Sequence, residues 1–229
     1  MSTRIVKDPS GVSGNTTCSW SGGKDSCFAL MQAIKLGYQP KALLNVLNEH
    51  GVISRSHGIP SAILKAQAEH AGLPIHLFPS SWQDYETKFV HALQLIKKEY
   101  DLQYAVFGDI DLQAHRDWEE MVCAKAGLQA VLPLWKQDRR KLVNEMLESG
   151  IETMIVSCNE IMGERFLGKT LTPSLIDELE GLGIDACGEN GEYHTLVLNC
   201  PLFSKRLHVN VRDNTLHEKY WFCGLQPCE

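Results

Sequence analysis

Apolar positions along the chain follow two alternating rhythms. Short apolar runs at residues 16–20, 42–47, 75–78 and 104–107 read as strands. Helical spacing fills the gaps between them. Residues 25–36 place Cys27, Met31 and Ile34 on one face, and Gly37 stops the helix. Residues 61–71 form a second helix, stopped by Gly72. Residues 84–100 carry Phe89, Leu93, Ile96 and Tyr100 on one stripe, and Trp118, Met121 and Val122 mark a fourth helix. Strand–helix alternation of this kind predicts an α/β fold with a mostly parallel sheet and helices on both faces.

After about Pro133 the rhythm changes. Residues 138–149 predict a helix, 153–157 a strand, and Thr172-Pro173 the cap and first turn of another helix. Residues 194–198, 207–211 and 216–222 predict strands. The expected organisation is a loose arm over residues 1–15, an α/β part over 16–131 and a smaller α+β part over 132–229. No internal repeat or low-complexity tract interrupts it.

Composition narrows the class. The 229 residues carry a net charge of −6, so a general nucleic-acid binder is disfavoured. No apolar run is long enough for a membrane span. The polar start has no apolar core of a signal peptide, so a cytoplasmic protein is expected. The eight cysteines include no C-x-x-C pair, and they read as reduced, mostly buried thiols rather than a zinc site.

The sharpest chemical feature is Ser21-Gly22-Gly23-Lys24-Asp25-Ser26, between the first strand and the first helix. Two glycines let the backbone turn tightly and approach a ligand. N–H groups at the helix start, two hydroxyls and a lysine then suit an anion. The loop is not a Walker A sequence, because Asp25 follows the lysine where Ser or Thr would stand. A second cluster, Gly188-Glu189-Asn190-Gly191-Glu192-Tyr193-His194-Thr195, gathers carboxylates, a carboxamide and an imidazole before a strand. In extended backbone Glu192 and His194 share one face and Tyr193 takes the other. Arg139, Arg140 and Lys141 read as a solvated helix face, and residues 163–169 as a lid or a mobile loop.

The S-G-G-K-D-S loop resembles the PP-loop of the N-type ATP pyrophosphatases, which implies a Rossmann-like, HUP-type fold, with residues 16–131 as the ATP-binding part and 132–229 as the substrate-binding part. Over residues 17–205 the chain is similar to the diphthine–ammonia ligase family of those proteins. The matching pieces are that loop, Ser56-His57-Gly58-Ile59-Pro60, Gln67-Ala68-Glu69, Val106-Phe107-Gly108-Asp109-Ile110, Gly127-Leu128, Pro133-Leu134-Trp135 and the run from Glu189 to Thr195. The resemblance implies ATP, Mg²⁺ and ammonia: a carboxylate is adenylated, pyrophosphate leaves, and ammonia displaces AMP. Ser21, Gly22, Gly23, Lys24, Asp25, Ser26, His57, Gly108 and Asp109 would then hold the nucleotide, with Asp25 as a metal ligand. Glu189, Asn190, Gly191, Glu192, His194 and Arg116 would face an unidentified carboxylate acceptor. Lys24, Asp25, Glu192 and His194 would be catalytic, with His194 or Glu192 accepting ammonium's proton. For Arg116 a surface salt bridge is the alternative. The family's last motif typically reads E-G-G-E-[YF]-E-T, whereas Asn190 and His194 stand here. That departure resembles the bacterial branch, for which corrinoid salvage has been proposed. A non-catalytic nucleotide-binding protein is the rival reading. No nucleic-acid or membrane partner is expected, and a homodimer is left open.

Overall fold

A computed structural model describes residues 13–228. The chain runs β1 (Asn15–Ser19), α1 (Lys24–Lys35), β2 (Gln39–Leu47), α2 (Ser61–Ala71), β3 (Ile75–Pro79), α3 (Tyr85–Tyr100), β4 (Tyr104–Val106), α4 (Gln113–Ala126) and β5 (Gln129–Val131). It continues with α5 (Arg139–Glu148), β6 (Glu152–Asn159), α6 (Pro173–Gly181), β7 (Tyr193–Asn199), β8 (Val209–His217) and β9 (Tyr220–Pro227). The first five strands form a parallel sheet in the order β3-β2-β1-β4-β5. The order reverses beside β1, so a crevice opens where the β1 and β4 ends diverge. This is the expected α/β architecture.

The last four strands form a smaller antiparallel sheet, ordered β7-β6-β9-β8. One apolar core runs from α1 and α2 into this second sheet and α5 and α6. A second lies between α3, α4 and the parallel sheet, built on Phe89, Leu93, Ile96 and Val122. Helix ends follow local chemistry. Thr172 caps α6 by accepting from the Leu175 N–H at 3.2 Å, and Asp138 caps α5 by accepting from Lys141 at 2.8 Å. Among the described residues no helix is long and apolar enough to cross a membrane.

Three sequence expectations change. The run 216–222 is not one strand. Leu216 and His217 end β8, Glu218 takes a left-handed φ of 53°, and Tyr220 opens β9. Alternation alone could not show a turn that contains no Pro or Asn. Strand β5 was not expected, because three residues between Gly127 and Pro133 carry too little periodicity. Residues 163–169 are no lid. Phe166 is wholly buried, and Gly168 and Lys169 exchange backbone hydrogen bonds with Ile155 of β6. Of the expected arm, residues 1–12 lie outside the described residues, and Asn15 already belongs to β1. Seven cysteines are buried and Cys228 is exposed, and all eight are free thiols.

Candidate active site

The β1–α1 junction sits at the crevice floor. Gly22 has φ +85°, and a Cβ there would stand 2.9 Å from the side chains of Gln67 and Leu64. Gln67, fully buried, accepts from the Trp20 indole at 3.0 Å and donates to the carbonyls of Gly22 and Val197 at 3.0 and 2.8 Å. It therefore ties the loop to β7 of the second sheet. Ser26 Oγ accepts from the Ser21 N–H at 3.3 Å, and Ser21 Oγ accepts from the Gly23 N–H at 3.2 Å. The loop is thus held in shape before any ligand arrives. Gly108, just past β4, packs on α1's first turn; a Cβ there would be 2.7 Å from the Ser26 nitrogen.

Above this floor lies a cleft of about 800 Å³. Ser21, Asp25, Ser26, His57, Gly108, Asp109, Glu189, Asn190, Gly191 and His194 all line it, so ten of the sequence-derived candidates share one cavity. The second sheet supplies Glu189, Asn190, Gly191 and His194, from the loop before β7 and from β7 itself.

Lys24, Glu192 and Arg116 are placed elsewhere. Lys24 is 2 % exposed and turns away from the cleft. Its Nζ donates to Asp25 Oδ2 at 2.9 Å and to the Cys187 carbonyl at 2.5 Å, and lies 5.2 Å from the Tyr193 ring centre. Burial works against its charge, but Asp25 and Tyr193 outweigh burial, so its pKa is raised and it stays protonated. It is a bolt between loop and second sheet. Glu192 does not line the cleft; it accepts from the N–H groups of Asp185 and Asn190 at 3.3 and 3.0 Å and from the Asn190 carboxamide at 3.0 Å. It shapes its own loop instead of meeting a ligand. Arg116 donates to Glu120 at 2.7 Å, one turn along α4, and lies 5.0 Å from the Trp135 ring centre. Of the two expectations for it, the structure takes the surface pair.

The carboxyls that do face the cleft differ in charge. Burial lifts Asp25 above the ordinary carboxylate value, Lys24 pulls it back, and its Oδ1 has no hydrogen-bond partner. Burial also opposes the Asp109 charge, but hydrogen bonds from His115, at 2.7 Å, and Glu119 hold its pKa below the ordinary value. Glu119 is 3 % exposed; burial, then its contact with Asp109, push it to about 11. It is neutral at pH 7 and lies beside the ionised Asp109. Glu189 accepts from the Ile110 N–H at 3.0 Å, and burial, then the Asp25 charge, raise it to about 7. His57 and His194 stack with ring centres 4.5 Å apart. Burial lowers both, His194 to about 4, so the pair is uncharged.

Sequence reasoning missed Glu119, Arg139 and an aromatic wall of Trp82, Tyr85, Phe89, Phe107 and Trp118. Phe89 had the stripe of a core residue, and nothing in the spacing distinguishes a core ring from one at a cavity edge. Arg139 is not a solvated residue. It forms a bidentate pair with Asp111, at 2.9 and 2.6 Å, and reaches Asp185 and Asn190 at 3.0 and 3.1 Å. It thereby joins the loop after β4 to the loop before β7. Among the described residues no group of three or more His, Cys, Asp or Glu side chains is arranged to hold a metal ion by itself.

Comparison with known proteins adds an independent line. The family model for the diphthamide synthase N-terminal domain matches residues 14–130, and that for its C-terminal domain matches residues 138–228. The human diphthine–ammonia ligase is 30% identical over 223 residues, covering 86% of this chain and 83% of that protein. The Schizosaccharomyces pombe diphthine–ammonia ligase is 32% identical over 229 residues, covering 90% of this chain and 38% of that longer protein. A solved Methanocaldococcus jannaschii structure, described as a predicted subunit of tRNA methyltransferase, overlays 84% of this chain at 16% identity and a TM-score of 0.43, too loose to bear on function.

Proposed function

The chain belongs to the diphthine–ammonia ligase family, and from that premise we propose how its cleft joins ammonia to a carboxylate. It is an ATP-dependent ligase that forms C–N bonds as amides. The triphosphate lies on the Ser21–Ser26 turn, where helix N-terminal amides and two hydroxyls meet the leaving pyrophosphate. The acceptor carboxylate oxygen attacks the α-phosphorus, and pyrophosphate departs with the bonding electron pair. Ammonia then attacks the acyl carbon, and AMP leaves as the amide forms.

Magnesium fits the donor set, since it keeps several waters and takes few protein carboxylates. Asp25, with Oδ1 free of hydrogen bonds, would hold it. When bound, it neutralises phosphate charge.

Glu189, not Glu192 or His194, is the base. Ammonium must lose a proton before it can attack. Glu192 is committed to its own loop, and His194, with its pKa near 4, is a weak base. Glu189 faces the cleft with a pKa of about 7, which suits proton uptake at neutral pH. The acceptor named by the relatives is diphthine. His194, uncharged and standing where the family typically carries a glutamate, supports a corrinoid carboxylate as the second candidate.

The observation that carries this reading is the preformed glycine turn on the cleft floor, roofed by a loop from the second sheet. The test is product analysis with α-labelled ATP, ammonium and a panel of carboxylates, diphthine-bearing elongation factor 2 among them. AMP that appears only with ammonium and an acceptor is expected. ADP as the product, or ATP bound without turnover, refutes it.

A further inference from the structure

Strand β8 ends the second sheet on one side, and among the described residues it pairs with β9 alone. Its other edge presents main-chain groups outside any ladder. The Cys228 N–H donates to the His208 carbonyl at 3.3 Å, so by alternation Asn210 and Arg212 turn their main-chain groups to β9 and Val211 turns its own outward. At the far end, the two-residue turn Glu218-Lys219 closes on the His217–Tyr220 pair, so Leu216 turns outward too. Between these halves the pairing slips. Arg212 faces Gly224 and Thr215 faces Phe222, so Asp213 and Asn214 together stand opposite Cys223. This bulge decides which side chains share a face. Opposed residues point the same way, so Val211 lies on the face of Leu225, and Leu216 on that of Trp221. Trp221, Cys223 and Leu225 alternate along β9 toward the apolar core. Val211 and Leu216 are thus core-side residues, yet each is 51 % exposed. The apolar stripe of the sheet runs one strand beyond the core that covers it.

We propose that β8 pairs antiparallel with β8 of a second copy, about a two-fold axis between Asp213 and Asn214, so that two four-stranded sheets become one continuous sheet. The side chains set the register. Val211 meets Leu216 of the second copy, Arg212 meets its Thr215, Asp213 meets its Asn214, and the axis repeats each pair. All these pairs have matching faces, because both copies carry the bulge at the axis. A slip of one residue would set Val211 against Thr215 or His217, which point to the other face. In this register Val211 and Leu216 also meet with their main-chain groups aimed at each other. No charge opposes its own sign. Strand β8 carries one Arg and one Asp, whereas the whole chain carries −6, so this edge lets two copies approach without repulsion. A foreign strand would not need the sequence to match itself in reverse, and that self-match is what selects a second copy as the occupant. The edge is about 30 Å long and buries roughly 600–900 Å² in total, so the dimer is expected to be a reversible one of micromolar affinity. No residue of β8 lines the cleft, so pairing leaves both clefts open.

The test is sedimentation velocity of the full chain from about 1 to about 300 μM, where a monomer–dimer equilibrium should appear. Val211→Pro removes one outward N–H and spares the bonds to β9, and Leu216→Lys puts a charge into the shared apolar stripe. Each should weaken the dimer about tenfold or more. Leu182→Lys, at an equally exposed leucine just beyond α6, should leave it unchanged. Circular dichroism checks that each variant keeps its sheets. The register is tested separately in a Cys228→Ser background, which removes the one exposed thiol. There Val211→Cys combined with Leu216→Cys should yield a covalent dimer with oxidised glutathione, because opposed Cα atoms would lie about 5.5 Å apart. Val211→Cys alone should not, because the two copies of residue 211 would stand about 17 Å apart along the ladder. A chain that stays monomeric throughout overturns the proposal. So does a dimer that both edge variants leave intact, or equal cross-linking by Val211→Cys alone.

Discussion

Glu119→Gln tests the electrostatics of the cleft most directly. Glu119 is 3 % exposed and lies against Asp109, and its pKa moves from the ordinary 4.5 to about 11. The folded chain therefore keeps a proton on Glu119 that the unfolded chain releases above pH 4.5. Folding takes up one proton across that range, so stability falls as pH rises, by about 1.4 kcal/mol per pH unit. Between pH 5 and pH 7 the integrated loss is about 2.5 kcal/mol. The figure is insensitive to where in the alkaline range the folded value lies, because the carboxyl is neutral throughout this window. Glutamine keeps the shape, donates to Asp109 and does not titrate. Asp109 itself lies below its ordinary value and is ionised over the whole window, so it does not blur the comparison. Urea or thermal unfolding of both proteins at pH 5, 6 and 7 should show the variant gaining on the wild type by about 2.5 kcal/mol, or about 5–10 °C in Tm for a domain of this size. Parallel stability curves would mean that Glu119 is ionised in the fold and that burial beside Asp109 does not hold its proton.

Lys24→Met should cost stability as well as activity, because the half-buried Asp25 would lose its counter-charge and the Cys187 carbonyl its donor; about 2–3 kcal/mol is expected by denaturant titration. An unchanged midpoint would remove Lys24 from its role as a bolt. Ser26→Ala, by contrast, should leave the midpoint within about 1 kcal/mol and reduce AMP formation, read by chromatography of labelled nucleotide. For Glu189 the working form is the ionised one, so amide formation should rise with pH through about 7. Glu189→Gln should flatten that limb of the kcat/KM profile, and an unshifted limb would assign the base elsewhere. Arg139→Ala should speed backbone amide exchange over residues 185–192 while leaving β1 and β4 protected, and equal protection there would show that Glu192 and Asp185 hold the loop unaided.

Much of the fold was legible because its signals are local. Helix α2 ends where Gly72 can take φ +67°, and α6 starts where Thr172 can cap it, whatever the rest of the chain does. Strand–helix alternation with parallel strands leaves few topologies, and the crevice follows from them. The PP-loop was readable for the same reason, since six consecutive residues carry the turn, the amides and the hydroxyls.

The direction of each charged side chain was not local. Lys24 and Asp25 are neighbours in the chain, yet one is buried beneath Tyr193 and the other faces the cleft, because Cys187, far along the chain, offers a carbonyl to the lysine. Glu189 and Glu192 sit three residues apart and differ in role, because Ile110 approaches one and the backbone of its own loop claims the other. Glu119, spaced like any surface residue of α4, becomes a buried proton holder only when Asp109 and α3 pack over it. The linear order of residues determined the parallel sheet, the glycine turn after β1 and the residues available for chemistry. Tertiary packing alone decided which of them meet, which stay charged and which merely hold the others, since desolvation and long-range contacts exist only once the two sheets have closed on each other.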